Sequence, residues 1–281
     1  MMTTKRLLVN ADDLGLSVGI NRGIVRAFRE GLVRSASLIV NAPGFDDAVR
    51  VIRDNPDLSV GIHLTLVGGD APVSEPERVG TLVDRKGRFF PSYRQFAARY
   101  LALKRGKIRV ELAAQVERAL AAGITPTHLD SHQHLHLLPK VADVVLDLAD
   151  HYEIRYVRRP QRNRGIMGAV VGILAAGLAG KMAARSLVTS DHFAGFDCSG
   201  RLTKGELLAI IEGLGEGTTE LMVHPGQEVD EVVSRYGWEM SWEEELSALV
   251  SREVRLEIER RGIEIVGHRD LSAVIGGNPR R

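Results

Sequence analysis

The residue types best suited to chemistry are concentrated in residues 127–139, which read THLDSHQHLHLLP. This stretch contains Asp130 and four of the nine histidines of the chain: His128, His132, His134 and His136. Imidazole and carboxylate groups are the ligands that zinc, iron and magnesium take from proteins. An extended backbone would place all five side chains on one face, whereas a helix would pair histidines four residues apart. A hydrogen-bonded core position explains any one of these histidines, but the cluster predicts a metal or catalytic site.

Two adjacent aspartates, Asp12 and Asp13, come directly after the first predicted strand. Buried neighbouring carboxylates repel each other unless a cation lies near them. Because consecutive residues at a strand end point in different directions, one carboxylate can bind a metal while the other stays free as a base. An Asx turn or a helix cap is the alternative, and the dipeptide alone favours that alternative.

Short apolar runs alternate with helical patterns along the chain. The predicted strands are residues 6–10, 35–40, 59–66, the start of 127–139, 154–158, 187–191, 220–223 and 263–266. This alternation predicts an α/β protein with a mostly parallel sheet, and about eight units predict a distorted (β/α) barrel. A doubly wound open sheet is the alternative, and it would gather only the polar residues near its topological switch point.

Helix-capping patterns support this alternation of strands and helices. Ser17 is predicted to cap a helix that ends at Glu30. Thr203 and Ser241 each begin a capping-box pattern, and the helix after Ser241 is predicted to run to about Arg261.

Polar residues recur where the predicted strands end. Taken singly, His63 within VGIHLTL and His224 before a Pro-Gly turn are typical of core histidines. In a parallel barrel, however, the carboxyl ends of all strands share one rim, so residues distant in sequence converge there. The residues predicted to lie on this rim are Asp12, Asp13, His63, Asp130, His132, Asp191, His192 and His224.

Two segments interrupt the alternation within one predicted domain, residues 1–281. Residues 67–92 are rich in glycine, proline and charge, which predicts a long loop or lid. Residues 164–182 contain GIMGAVVGILAAGLAG, an apolar run shorter than the roughly 20 residues of a membrane span. We interpret this run as a buried helix of the barrel wall. The alternative is an apolar surface for a lipid-linked substrate or a shallow peripheral membrane contact.

Composition sets the broad class. The chain has 281 residues, 44% hydrophobic and 26% charged, with a formal net charge of +1. Such a near-neutral chain is not expected to bind nucleic acid broadly. A single cysteine, Cys198, cannot form an internal disulfide, and the first apolar run is too short for a secretory signal. We therefore expect a cytoplasmic protein.

Four motifs together resemble the YdjC-like carbohydrate deacetylase family of the ChbG/HpnK type. They are LLVNADDLGLSVGINRGI, GIHLTL, THLDSHQHLHLLP and MVHPG, in family order between residues 7 and 226. The resemblance implies a barrel-like deacetylase domain that hydrolyses an N-acetylated amino sugar. It implies Asp13, His63 and His132 as metal ligands, Asp12 as the catalytic base and His224 as the general acid. Residues expected to contact the substrate or the metal ligands are His128, Asp130, Asp191, His192, Phe193 and Arg158.

The resemblance implies one metal ion, magnesium or another divalent ion, and the ligand types also fit zinc. The substrate remains open between a chitooligosaccharide, another N-acetylated sugar and an N-acetylglucosaminyl hopanoid. The Gly/Ala-rich segment and TSDHFAGF at residues 189–196 are similar to the hopanoid-associated branch of the family. A homodimer is expected.

Other functions use similar residues. A non-haem iron oxygenase also binds metal through two histidines and a carboxylate, but it usually has a different all-β fold. An amidohydrolase-type barrel uses a His-x-His pair after its first strand, where this chain has two aspartates. A carbohydrate- or lipid-binding protein without turnover is the non-catalytic alternative, and the candidate base and acid argue against it.

Overall fold

The computed structural model describes residues 4–161 and 165–271. The strands are β1 Lys5–Leu14, β2 Ser35–Leu38, β3 Ser59–Leu64, β4 His128–Ser131, β5 Tyr156–Val157, β6 His192–Ala194, β7 Gly217–Val223 and β8 Glu264–Val266. The helices are α1 Val18–Glu30, α2 Phe45–Asp54, α3 Pro76–Val79, α4 Tyr93–Ala98, α5 Arg105–Ala121, α6 Pro139–His151, α7 Gly165–Ala183, α8 Lys204–Glu212, α9 Asp230–Tyr236, α10 Trp242–Leu249 and α11 Arg252–Arg260. Short 3₁₀ helices span Tyr100–Ala102 and His132–Leu137.

All strand pairings are parallel, in the order β5-β4-β3-β2-β1-β7-β6. β8 also pairs with β1, beside its first half, whereas β2 pairs with its second half. Seven strands therefore form one curled path, which in the described part of the chain stays open between β5 and β6. The prediction of a distorted (β/α) barrel is confirmed.

β1 is the central strand because its side chains are buried from Leu7 to Leu14. A strand inside a parallel sheet is buried on both faces, and in β1 the polar residues Asn10, Asp12 and Asp13 are buried along with the apolar ones. Leu7, Val9 and Ala11 belong to the main hydrophobic cluster, together with apolar residues of α1. α1 begins after Ser17, whose side chain accepts a hydrogen bond from the backbone N–H of Ile20, as the sequence predicts.

α1 also approaches the turn after β7, and a glycine makes this contact possible. A Cβ on Gly23 would lie 2.4 Å from Cα of Gly226. We expect Gly23→Ala to lower the free energy of unfolding by about 1–3 kcal/mol because the helix must move away from the turn. Gly106→Ala in α5 is the control, since nothing lies within 4 Å of its added Cβ. Urea unfolding of both variants tests this, and equal stability of Gly23→Ala and wild type would refute the packing argument.

Residues 67–92 form a fixed loop that contains α3. The Glu111 carboxylate of α5 accepts hydrogen bonds from the backbone N–H groups of Val73 and Ser74. Phe89 and Phe90 of this loop are buried in the body. The loop is thereby anchored at its middle and at its end.

The sixth predicted strand is misplaced. The strand is β6, His192–Ala194, and of residues 187–191 only Val188 pairs, in an isolated bridge to Tyr156. Asp191 therefore precedes β6, and its side chain accepts a hydrogen bond from the backbone N–H of Thr218 at the start of β7. Nε2 of His192 lies 3.1 Å from the carbonyl oxygen of Glu216. The prediction that Asp191 and His192 lie on the carboxyl-end rim is wrong, because both lie at the amino end.

Of the two predicted capping boxes, one forms and the other does not. Thr203 forms its capping box with Glu206. Ser241 makes no side-chain cap, and the long helix predicted after it is broken into α10 and α11 near Ser251. The apolar segment forms α7, and no helix in the described ranges is long and apolar enough to cross a membrane.

Candidate functional site

The carboxyl ends of β1, β3, β4 and β7 border a cavity of about 540 Å³. Five of the predicted site residues line it: Asp12, Asp13, His63, His132 and His224. The fold thus brings together residues from four strands, as a shared rim predicts.

An irregularity in β1 presents the two aspartates. The register of β1 against β2 shifts between Ala11 and Leu14, and Asp13 has a φ of 68°. Such a bulge redirects side chains at the end of a strand. Asp13 Oδ1 consequently lies 3.1 Å from Nδ1 of His132 and 3.5 Å from Nε2 of His63. One ligand atom from each of these three residues lies within 4.8 Å of the others, so they are able to hold one metal ion.

His132 follows β4 in a turn that differs from both predicted backbone geometries. Only His128–Ser131 is extended, and the next residues form a 3₁₀ helix in which Gln133 and His134 have φ of 53° and 54°. The turn leaves His132 and His134 on the cavity lining and separates them from His136. His136 is held away from the cavity by Ser131 and by the carbonyl oxygen of Arg158.

The orientation of His63 fits a metal ligand. Its Nδ1 lies 2.8 Å from Oδ1 of Asp130, which leaves Nε2 directed toward Asp13. A carboxylate that fixes a ligating imidazole in this way is typical of metal sites. His132 directs its Nδ1 toward the same carboxylate, 3.1 Å from Asp13 Oδ1. Two imidazoles and one carboxylate therefore suit a divalent ion.

The electrostatics of the cluster agree with this fit. Burial lowers the pKa of His63, but the carboxylates of Asp130 and Asp12 outweigh it and raise that pKa to about 9. Burial raises the pKa of Asp13, and His132 and His63 outweigh it and lower that pKa below its ordinary value. The carboxylates thus favour a positive charge between Asp13, His63 and His132.

Arg158 organises the carboxylates behind the cavity. It donates to both oxygens of Asp12, at 2.7 Å each, and lies 2.7 Å from Oδ2 of Asp130. Its Nε donates to Glu220 at 2.6 Å, and Glu220 also accepts from the Tyr156 hydroxyl. Arg158 is 0% exposed, so it contacts Asp12 and Asp130 rather than the cavity. Sequence analysis missed Glu220 and Tyr156. A glutamate inside the apolar strand β7 indicates a buried charge that needs a positively charged partner.

The other predicted residues lie around this network. His128 is fully buried and lies 3.0 Å from Ser37 Oγ, and burial lowers its pKa to about 3. Ser37 also donates to Asp130. Phe193 is buried and packs edge-on against His134, outside the main cavity. His128 therefore contacts the site through Ser37 and Asp130, and Phe193 contacts it through His134.

His224 directly follows β7 and lines the cavity. Its backbone N–H donates to the buried carboxylate of Glu245, which also accepts from the backbone N–H of Leu202. The Nδ1 atom of His224 is buried and has no hydrogen-bond partner in the described part of the chain. Glu245 of α10 thus holds the backbone of His224, 21 residues away in the sequence, and no local motif indicates this contact.

Trp238 is a cavity residue that sequence analysis missed as a site residue. Its ring stacks on His132, with centroids 5.3 Å apart, and Tyr236 stacks on Trp238 at 4.7 Å. Asp70 accepts hydrogen bonds from Arg235 and from the Tyr236 hydroxyl. The loop of residues 67–92 thereby holds the segment that packs on His132.

Most of the chain matches one protein family and its solved relatives. The family described as "YdjC-like protein" matches residues 6–260. This chain belongs to the YdjC-like family. A carbohydrate deacetylase of Thermoanaerobacter pseudethanolicus is 35% identical over 250 residues, which cover 89% of this chain and 92% of that protein. A carbohydrate deacetylase of Geobacillus stearothermophilus is 35% identical, over 94% of this chain and 97% of that protein.

A solved structure gives the same family fold. The putative cellobiose-phosphate cleavage protein of Enterococcus faecalis aligns with a TM-score of 0.81 and 27% identity. The alignment covers 96% of this chain and 99% of that structure. The resemblance inferred from the four motifs is therefore confirmed at the level of the family and its fold.

Proposed function

We propose that this chain is a metal-dependent carbohydrate N-deacetylase. The observation that carries the proposal is the convergence of Asp13, His63 and His132 in one cavity with a further carboxylate, Asp12, and a further imidazole, His224. The family relatives named carbohydrate deacetylase support the same reaction. Asp13, His63 and His132 are the proposed metal ligands.

In this proposal the metal supplies Lewis acidity and makes water a better nucleophile. The Asp12 carboxylate accepts a proton from the attacking water as the new C–O bond forms. Arg158 orients that carboxylate by binding both of its oxygens. His224 gives a proton to the amide nitrogen as the C–N bond breaks, because an amide anion is a poor leaving group. The products are acetate and a free amino sugar.

Substitution of the base and the acid tests this mechanism. We expect Asp12→Asn and His224→Gln each to lower kcat for acetate release by about 10²–10⁴-fold while bound metal is retained. N-acetylglucosamine oligosaccharides are the assay substrate, with metal content measured on the same samples. His192→Gln is the matched control, because His192 lies at the opposite end of the sheet. The activity of this variant is expected to equal that of wild type. Full turnover by Asp12→Asn and His224→Gln would exclude the proposed roles, and no turnover by wild type would favour a binding protein.

The metal is proposed to be a single divalent ion. The family resemblance favours magnesium, whereas two imidazoles and one carboxylate are ligands that zinc also takes. Metal analysis of protein purified without chelator distinguishes the two ions.

The finer substrate proposal is a glycolipid, such as an N-acetylglucosaminyl hopanoid, rather than a chitooligosaccharide. A second cavity of about 450 Å³ adjoins the first and shares Tyr93, Gln133, His134 and Phe196 with it. Its remaining lining is apolar and includes Leu135, Leu138, Val171 and Leu174. We call this second cavity the apolar groove. An apolar aglycone has a place to lie there while the sugar occupies the main cavity.

Alkyl glycosides of N-acetylglucosamine test the groove. We expect a long-chain glycoside to have a kcat/KM at least 10-fold above that of diacetylated chitobiose, since each buried methylene contributes about 0.8 kcal/mol. Leu174→Asp should remove this advantage and leave turnover of diacetylated chitobiose unchanged. A preference for diacetylated chitobiose in both proteins would contradict the glycolipid proposal but not the deacetylase proposal.

A further inference from the structure

Helix α7 carries apolar residues on its outer face as well as its inner face. Val171, Ala175 and Leu178 are buried against the body, whereas Val170 and Ile173 are 46% and 74% exposed. The remaining exposed positions between residues 168 and 180 are alanine or glycine, and no charged residue lies in that interval. A surface helix normally has a polar outer face, so this one needs an apolar environment outside the protein.

The opposite wall of the apolar groove shows the same property. Tyr93 and Ala97 of α4 line the groove together with Val170 and Val171 of α7. In the turn after α4, Leu101 is 91% exposed. Exposed large apolar side chains therefore occur on α7 and directly after α4, the two helices that both contribute to the groove.

Positive charge accompanies these apolar residues. Residues 85–110 contain nine lysines and arginines and no acidic residue, in a chain whose formal net charge is only +1. Arg105 and Arg109 pair with Asp147 of α6. Within the described ranges, by contrast, no ion pair is formed by Arg94, Arg99, Lys104 or Lys107. Arg94, Arg99 and Lys104 are exposed, and they lie within a few residues of Leu101.

We propose that α4, the turn after it and the outer face of α7 form a docking surface for an anionic lipid bilayer. Ile173 and Leu101 enter the interface between headgroups and acyl chains, and Arg94, Arg99 and Lys104 contact anionic headgroups. The apolar groove, lined by the same two helices, then opens at the lipid boundary. Docking does not depend on the deacetylase proposal; only its use in substrate capture rests on that proposed function.

Two other occupants explain less of this surface. A symmetric contact with a second copy places the same patch on both sides of the interface, so the basic residues that border it repel one another. Nucleic acid accounts for the arginines and lysines but not for Ile173 and Leu101. A bilayer with anionic headgroups accounts for both.

Vesicle sedimentation tests the proposal with the full chain. We expect binding to vesicles of phosphatidylcholine mixed with phosphatidylglycerol, weaker binding in high salt and little binding to phosphatidylcholine alone. The double variant Arg94→Gln/Arg99→Gln should bind the anionic vesicles roughly 30-fold more weakly. The double variant Ile173→Asp/Leu101→Asp should lose binding, because both substitutions place a charge in the apolar layer.

Matched controls come from other surfaces. Leu256→Asp replaces an exposed leucine of α11, and Arg50→Gln/Arg53→Gln removes two exposed arginines of α2. Both are expected to bind as wild type does. Equal binding by Ile173→Asp/Leu101→Asp and wild type, no binding of wild type to anionic vesicles, or a dimer that Ile173→Asp dissociates would each overturn the proposal. Acetate release from a water-soluble substrate should be unchanged in Ile173→Asp/Leu101→Asp, which separates failure of docking from failure of the deacetylase proposal.

Discussion

Asp13→Asn is expected to lose both bound metal and acetate release. The substitution removes the only carboxylate of the proposed ligand set, which lies 3.1 Å and 3.5 Å from the two imidazoles. In other enzymes, removal of one group that stabilises an oxyanion lowers kcat by roughly 10²–10³-fold. We expect the loss of kcat in Asp13→Asn to be at least as large. Asparagine is chosen over alanine because Asp13 has a φ of 68°, a conformation that asparagine tolerates well.

His132→Ala provides an independent test of the same ligand set. It removes the proposed ligand that lies in the turn after β4, and the same joint loss of metal and turnover is expected. Asp46→Asn, in an exposed position of α2, is the control for loss of one negative charge. Metal content by mass spectrometry and acetate release are measured on the same preparations. Stoichiometric metal and full turnover in both ligand variants would disprove the assignment of this site.

Arg158→Met is expected to cause the largest loss of stability. Arg158 is the counter-charge for three buried carboxylates, those of Asp12, Asp130 and Glu220. Removing one partner from a buried ionic network typically costs about 3–5 kcal/mol, because the remaining charges stay buried without compensation. A substantially lower midpoint in urea and weaker activity should follow. Arg155→Met, an exposed arginine close by in the chain, is the control and should unfold as wild type does.

The pH dependence of this loss has a defined sign. Burial raises the pKa of Glu220 above its ordinary value of 4.5, and Arg158 opposes that rise. Without Arg158 the pKa of Glu220 in the folded state should rise further, so the folded protein binds a proton that the unfolded chain releases. Stability therefore falls as the pH rises above about 4.5. The deficit of Arg158→Met relative to wild type should be larger at pH 7 than at pH 5, and a deficit independent of pH would contradict this explanation.

Local chemistry made part of the molecule predictable. Ser17 and Thr203 cap α1 and α8 as their sequence patterns indicate, because capping depends on residues within one turn. The parallel sheet followed from alternating apolar runs, and the shared rim explains why Asp13, His63 and His132 converge.

Contacts between distant segments were not predictable in the same way. Asp191 and His192 are next to a strand in the sequence, but a polar pair does not reveal which end of the strand it occupies. The network around Arg158 joins β1, β4 and β7, so no spacing in the chain encodes it. Trp238 stacks on His132, and the nearby Arg235 is bound by Asp70, a pair separated by 165 residues.

Removal and return of the metal tests the central claim most directly. Protein treated with a chelator is titrated with one divalent ion, and acetate release from an N-acetylglucosamine oligosaccharide is measured at each step. Activity should be absent at the start, rise with added ion and reach its maximum when a single ion is bound per chain. Full turnover by the chelator-treated, metal-free protein would contradict the account.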